Sequence, residues 1–318
     1  MGLPVIDISG LAASDPAARR AVGLDLRAAC LEHGFFYCTG HGVPDGLIDA
    51  AMEQTRALFD LPMAAKRALD KAQSPANRGY EHLGGQTLQQ GAMPDRKEGF
   101  YLGEDLALDH PRVKAGAFNA GANLWPADLP AFRPVMVACL AALGVVAARI
   151  MQGLALSLDL PDDHFHAFTT EPAATLRLLH YPPSRPEVPD ELGAGAHTDF
   201  GGLTLLLQDD VGGLKVMGRD GWIEAPPIPG AYVVNLGDMI ARWTNDRYRS
   251  TLHQVINSSG RERYSIPYFY SGNPDHEVRC LPTCLTPGEV PKYPPVTVQD
   301  HLRAMYARTY ARTHAPAS

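Results

Sequence analysis

The chain has no lysine- or arginine-rich run and no zinc-finger spacing. Its 35 acidic residues outnumber 28 basic ones, for a formal net charge of −7. That balance favours solubility and speaks against a nucleic-acid partner. No glycine-rich segment has Rossmann or Walker spacing; the glycines between Gly34 and Gly42 fit neither pattern, so no phosphate-cradling loop is expected. Internal repeats and low-complexity linkers are lacking. The five cysteines, Cys30, Cys38, Cys139, Cys280 and Cys284, are odd in number and mostly far apart. They point to a reducing compartment and buried thiols. Cys280 and Cys284 have no second pair nearby, so structural zinc is not expected. The opening MGLPVIDISG lacks a basic segment followed by an apolar run, and the expectation is a cytoplasmic protein. The apolar stretch from Ala138 to Ile150 is closed by Arg149 and is too short for a bilayer. It reads as a buried helix, with no membrane partner.

What the chain does have is material for a large core: 318 residues, 45% of them hydrophobic. A short strand is expected from Pro4 to Ile8, an amphipathic helix from Pro16 to His33, and extended chain at Phe35 to Tyr37. Helices follow from Asp45 to Phe59 and from Ala131 to Leu158, the second with Pro134 in its opening turn. Between them, Gln73 to Gly103 reads as an irregular polar loop able to cover a site. After Glu171 the pattern changes to short strands near 176–181, 203–207, 214–216, 231–235, 253–255 and 263–270. Turns rich in proline, glycine and aspartate separate them, which indicates a sandwich or barrel.

Three polar elements stand out in this strand-rich half: His197-Thr198-Asp199, His253, and Arg263-Tyr264-Ser265. Side chains two apart on a strand share a face, so His197 and Asp199 can point at one ion while Thr198 points away. A second imidazole from His253 completes a set of two histidines and one carboxylate with open positions, the donor set of mononuclear iron oxygenases. His41 and His180 are competing ligands. Zinc accepts the same donors, so the ligand types alone leave both ions open. The anion site argues for iron. Arg263 and Ser265 share a strand face, where a guanidinium fork and a hydroxyl can grip a carboxylate. Tyr181 could add a further donor. Alone, Arg263 beside Arg261 and Glu262 would read as a surface residue.

With these pieces in order, the chain resembles the isopenicillin N synthase-like Fe(II)/2-oxoglutarate-dependent dioxygenases over about residues 3 to 310. The matching segments include PVIDISG, ACLEHGFFYCTGHGVP, DRKEGFYLG, LRLLHYPP, AHTDFGGLTLLLQDD, VVNLGDM and STLHQVINSSGRERYSIPYF. LRLLHYPP and HTDFGGLTLLLQDD are closer to bacterial and fungal members than to plant ones. The resemblance implies a mainly β fold with flanking helices: a distorted double-stranded β-helix (jelly roll) core with an N-terminal helical region. One catalytic unit, 1–318, would comprise an N-terminal α/β region with a long supporting helix (1–165), the jelly-roll core carrying both sites (166–285) and a C-terminal helical segment (286–318). It implies iron on His197, Asp199 and His253, and the distal carboxylate of 2-oxoglutarate on Arg263 and Ser265 with Tyr181 beside them. Fe(II), 2-oxoglutarate and O2 are the implied cofactor and co-substrates. The implied reaction is oxidation of a small molecule, foremost hydroxylation, coupled to decarboxylation of 2-oxoglutarate to succinate and CO2. Desaturation, ring closure or ethylene formation on the same iron is the alternative. A metal-free jelly-roll binding module is the alternative of another class.

The substrate is less legible. Phe100, Tyr101, Arg78, Phe200, Trp243 and Phe269 are candidate contacts, and their aromatics suit a flat or partly apolar molecule. Arg96, Arg78 or Arg242 could instead pair with a substrate acid. Asn235 and Asp238 are candidates for orienting the metal site. No coiled-coil seam is present, and a monomer suffices for this chemistry.

Overall fold

Alternating strands that are apolar on both faces need cover on both sides, and the chain supplies helices for one face and a second sheet for the other. A computed structural model describes residues 2–185, 187–188 and 191–310. The end of the expected C-terminal segment, 311–318, lies outside the described residues. The main sheet has eight strands: β1 (Val5–Asp7), β2 (Phe35–Thr39), β3 (Gly79–Glu81), β4 (Glu98–Gly103), β5 (Ala173–Tyr181), β7 (Leu203–Gln208), β10 (Tyr232–Leu236) and β12 (Arg263–Gly272). Their order is β1-β2-β10-β7-β12-β5-β4-β3. Neighbours are antiparallel except β1 and β2, which run parallel. The smaller sheet contains β6 (Ala194–His197), β8 (Leu214–Met217), β9 (Trp222–Glu224) and β11 (His253–Val255), in the order β6-β11-β8-β9. Together they form the jelly roll.

Strand alternation sorts the side chains between two cores. Leu176, Leu178, Leu205, Val234, Ile266 and Tyr268 face the helical layer. That layer is built from helices Pro16–Glu32, Asp45–Phe59 and Phe132–Ser157. On the opposite face, Phe35, Tyr37, Leu179, Tyr181 and Val233 join Leu214, Val216 and Val255 of the smaller sheet. The site described below opens on this second face.

The first helix begins where Asp15 caps the Ala17 amide and Pro16 opens the first turn. The long helix, Phe132–Ser157, runs 26 residues and starts and stops within one residue of the span expected from Ala131 to Leu158. By length and composition it would suit a bilayer. In the fold its Met136, Leu143, Ala147, Ile150 and Leu154 are buried in the helical core, so it acts as the supporting helix.

The segment from Gln73 to Gly103 differs from the irregular loop expected. It contains β3 and β4, which extend the main sheet beyond β5. Its Glu81, Asp95, Lys97 and Glu98 are buried and paired. Lys66 meets Glu98 at 3.0 Å, and Arg177 meets Glu81 at 2.5 Å. Strands β1 to β4 all precede residue 166, so the sheet is shared between the two regions read from the sequence.

Candidate active site

His197 ends β6 and His253 begins β11, and the two residues pair directly across the smaller sheet. Opposed residues of an antiparallel pair project to one side, and the two rings lie 4.3 Å apart between centroids. Asp199 reaches them from outside the strand: β6 stops at His197, and the chain bends just after Asp199, from Phe200 to Gly202. Its main-chain oxygen accepts the Asp238 amide at 2.8 Å, which fixes the bend. Asp199 Oδ1 lies 3.9 Å from Nε2 of each histidine. Among the described residues this is the one group of three or more histidine, cysteine or acidic side chains whose ligand atoms converge, all within 4.8 Å of one another. The competing histidines are engaged elsewhere, His41 with the Gly230 carbonyl and His180 between Glu98 and Glu262.

The remaining heteroatom of each ligand is committed. His197 Nδ1 lies 2.7 Å from the Gly195 carbonyl, and His253 Nδ1 lies 3.1 Å from the Thr251 carbonyl. A carbonyl can only accept, so both rings carry their proton on Nδ1 and turn the Nε2 lone pair inward. Asp199 Oδ2 accepts from Thr204 Oγ1 at 2.5 Å and Asn235 Nδ2 at 2.7 Å, leaving Oδ1 for the centre. Burial, then the neighbouring His253, pushes His197 down to about 3, so its imidazole is neutral. Burial alone would raise the Asp199 carboxyl. The positive charge the two rings carry when protonated, with the hydrogen bonds from Asn235 and Thr204, outweighs it and holds the group below the ordinary carboxylate range. Two imidazoles with Nε2 turned inward and one carboxylate oxygen, each held by a second contact, fit a divalent metal.

Asp238 acts one step away. It accepts from Ser250 Oγ at 2.6 Å and steadies the bend through its own amide, whereas Asn235 touches the Asp199 carboxylate directly.

Arg263 and Ser265 lie on the inner face of β12. Arg263 is fully buried. It donates from Nε to the Gly212 carbonyl at 2.5 Å, from Nη1 to Ser265 Oγ at 3.3 Å and from Nη2 to Gln208 Oε1 at 3.2 Å. The guanidinium lies over the Tyr181 ring at 4.6 Å. Tyr181 thus meets the clamp with its face. Among the described residues no carboxylate pairs with this cation. One cavity joins this end to the metal ligands, lined by Tyr181, Arg263 and Ser265 on one side and His197, Asp199 and His253 on the other.

A second cavity opens on His197 and Asp199 from another direction, with Arg78, Tyr101, Phe200 and Phe269 in its wall. Four of the six expected substrate contacts are therefore gathered there. Two are not. Phe100 alternates with Tyr101 on β4, faces the helical core and meets Phe132 edge-on. Trp243 ends the short helix Asp238–Trp243 and packs on Phe165 and Phe168. Of the other arginines weighed, Arg96 bonds the Pro183 carbonyl and Glu191, and Arg242 bonds the Pro294 carbonyl. Thr204 and Gln208 were not singled out from the sequence. Both are polar positions at even spacing in the apolar strand LTLLLQ, a signal that was there to read.

A jelly roll with two histidines and a carboxylate at its mouth, and an enclosed arginine behind them, defines the class of mononuclear iron oxygenases. Residues 172–272 match the 2OG-Fe(II) oxygenase superfamily, and residues 3–128 match the family described as non-haem dioxygenase in morphine synthesis N-terminal. The chain is 46% identical to the 2-oxoglutarate-Fe(II) type oxidoreductase hxnY of Emericella nidulans, covering 98% of this chain and 91% of that protein. A full-length Neurospora crassa protein, in a crystal structure with alpha-KG, superposes with a TM-score of 0.85 at 28% identity, covering 96% of each chain. JOX2, in a crystal structure with 2OG, Fe and JA, gives a TM-score of 0.79 at 31% identity, covering 100% of this chain and 90% of that one. The chain belongs to the 2OG-Fe(II) oxygenase superfamily. It is a non-haem iron oxidoreductase whose cofactor is Fe(II) and whose co-substrates are 2-oxoglutarate and O2.

Proposed function

We propose that this protein hydroxylates a small, partly apolar organic molecule, with Fe(II) on His197, Asp199 and His253 and the distal carboxylate of 2-oxoglutarate on Arg263 and Ser265. The observation that carries this reading is the buried Arg263 guanidinium, which among the described residues has only neutral partners and sits at the far end of a cavity that begins at the metal ligands. A buried cation is costly without an opposite charge, and a planar fork suits a carboxylate.

The iron, when bound, supplies oxygen activation coupled to the decarboxylation of 2-oxoglutarate to succinate and CO2. The chain supplies position and dryness. Gly195 and Thr251 fix the two rings, Thr204 and Asn235 fix the carboxylate, and Phe35 packs against His253 at 5.2 Å between centroids. Arg263 neutralises and aims the co-substrate. Leu106, Phe118, Phe269 and Leu302 give the second cavity apolar walls, which support its assignment to the substrate. Five unpaired cysteines support a reducing, cytoplasmic setting. The net negative charge supports a small-molecule partner over nucleic acid, and the reading requires no second subunit.

A substrate screen that follows 2-oxoglutarate, succinate and product mass together tests the reading. Succinate and product in equal amounts, with a product heavier by one oxygen, are expected. Loss of two hydrogens would replace hydroxylation by desaturation or ring closure. A product formed without 2-oxoglutarate consumption would sink the assignment of Arg263.

A further inference from the structure

The second cavity holds another enclosed guanidinium. Arg78 is 3% exposed and lines the cavity that opens on His197 and Asp199. Its Nη2 donates to the Asn119 carbonyl at 2.8 Å, while its buried Nε and Nη1 have no hydrogen-bond partner among the described residues. Two unmatched donors on a buried cation carry a desolvation cost that a ligand can relieve. Burial is also the main reason the group's pKa falls to about 10, still far above neutral pH, so it is charged.

The neighbours do not satisfy it. After the Tyr306 phenol, the carboxylates Glu104 and Asp105 are the groups closest in effect, and each carboxylate is engaged elsewhere. Glu104 pairs with Arg112 at 2.9 Å. Asp105 accepts from the Asn123 amide, the Trp125 indole and Arg133. The other arginines lining the cavity have acids of their own, Arg112 with Glu104 and Arg177 with Glu81. The seat itself is shaped for Arg78. It lies over Gly103, where a Cβ would overlap the guanidinium.

The position of this seat follows from strand register. Gly103 pairs with Thr175, Thr175 with Phe269, Phe269 with Thr204, and Thr204 with Asn235. This row crosses one face of the main sheet. At one end Thr204 and Asn235 hold the Asp199 carboxylate; at the other Gly103 seats Arg78. Thr175 and Phe269, between them, line the cavity. Three strand spacings separate Gly103 from Thr204, roughly 14 Å along the sheet. Phe118, Phe269 and Leu106 provide apolar surface in the same cavity.

We propose that Arg78 is the anion-binding residue of the substrate cavity, and that the substrate is a compact, largely apolar carboxylic acid of one or two rings. Its carboxylate pairs with Arg78 and its opposite end reaches the metal ligands. The proposal rests on the assignment of this cavity to the substrate. It adds a charge requirement at the end remote from the metal.

The test compares acids with their neutral amides on the protein loaded with Fe(II) and 2-oxoglutarate without oxygen. Benzoate, 3-phenylpropanoate and 2-naphthoate are titrated by calorimetry against benzamide, 3-phenylpropanamide and 2-naphthamide. At least one acid is expected to bind roughly 10- to 100-fold more tightly than its amide, the worth of charge-assisted hydrogen bonds. Arg78→Gln should abolish that preference, and Arg78→Lys should keep part of it. 2-Oxoglutarate affinity should be unchanged in both variants. The proposal is overturned if no acid is preferred over its amide, or if the preference survives in Arg78→Gln. The wild-type comparison stands even if a variant fails to fold. Failure of 2-oxoglutarate to bind the wild type would instead count against the co-substrate assignment.

Discussion

At the scale of single residues, the site depends on side chains that hold its metal ligands in place. Asp199 has one oxygen free because Thr204 and Asn235 occupy the other. Asn235→Ala removes one of these two constraints on the carboxylate and leaves its metal-facing oxygen in place. The expected result is a roughly 10- to 100-fold loss of Fe(II) affinity, typical of partners that orient ligands, with little change in unfolding temperature. Anaerobic metal titration beside thermal unfolding would read both, and unchanged affinity would mean the carboxylate is held by other means. The ligand triad was legible in the sequence. The two-residue rule describes Arg263 and Ser265, which sit within β12. His197 and Asp199 converge as that spacing expects, although β6 ends at His197 and Asp199 lies just beyond it, where its main-chain oxygen accepts the Asp238 amide. That contact joins residues far apart in sequence and is unreadable from local pattern.

At the scale of elements, the outer strands of the main sheet were hidden by their charge. Lys66, Glu81, Lys97 and Glu98 look like surface residues in sequence, and all are buried in ion pairs. Once β4 is a strand, neighbours on it must face opposite ways. Phe100 then belongs to the helical core and Tyr101 to the cavity. Phe100→Ala should therefore cost about 3–5 kcal/mol of stability, as aromatic truncation in a core does, while leaving 2-oxoglutarate affinity intact. Tyr101→Phe removes a hydroxyl that donates to Glu81 at 2.9 Å and should alter substrate affinity with a much smaller stability loss. Urea unfolding of the two variants separates them. A larger stability loss for Tyr101→Phe would reverse the assigned facing of β4. Trp243 was misread similarly: a short helix, with aromatic partners from Phe165 and Phe168, draws it into the core.

At the scale of the whole molecule, two sheets share the work. The smaller sheet and the chain just beyond β6 bring the metal ligands, and the larger sheet brings the Arg263 clamp and the row ending at Gly103. The mainly β core and its long helix were legible because apolar alternation and helical periodicity are local. The packing of buried charges was not. One such cluster sets an acid limit. Burial alone would raise the Glu81 carboxyl, but Arg177 and Lys71 outweigh it and bring it from 4.5 to about 2. A lowered folded-state value means the unfolded chain binds the proton first. The stabilisation is complete above the unfolded value and is lost as pH falls from about 4.5 towards 2. Urea midpoints should drop between about pH 5 and about pH 3, and Glu81→Gln should show a smaller drop. An equal drop in that variant would place the acid sensitivity elsewhere.

The central claim is that one cavity holds Fe(II) and 2-oxoglutarate together, through His197, Asp199 and His253 at one end and Arg263 at the other. Anaerobic titration of the Fe(II)-loaded protein with 2-oxoglutarate, followed by the metal-to-ligand absorption band, tests this most directly. The account predicts a band that saturates in the wild type, is absent in His197→Ala, and requires roughly 10- to 100-fold more 2-oxoglutarate in Arg263→Gln. No band in the wild type, or an unchanged 2-oxoglutarate requirement in Arg263→Gln, would contradict it.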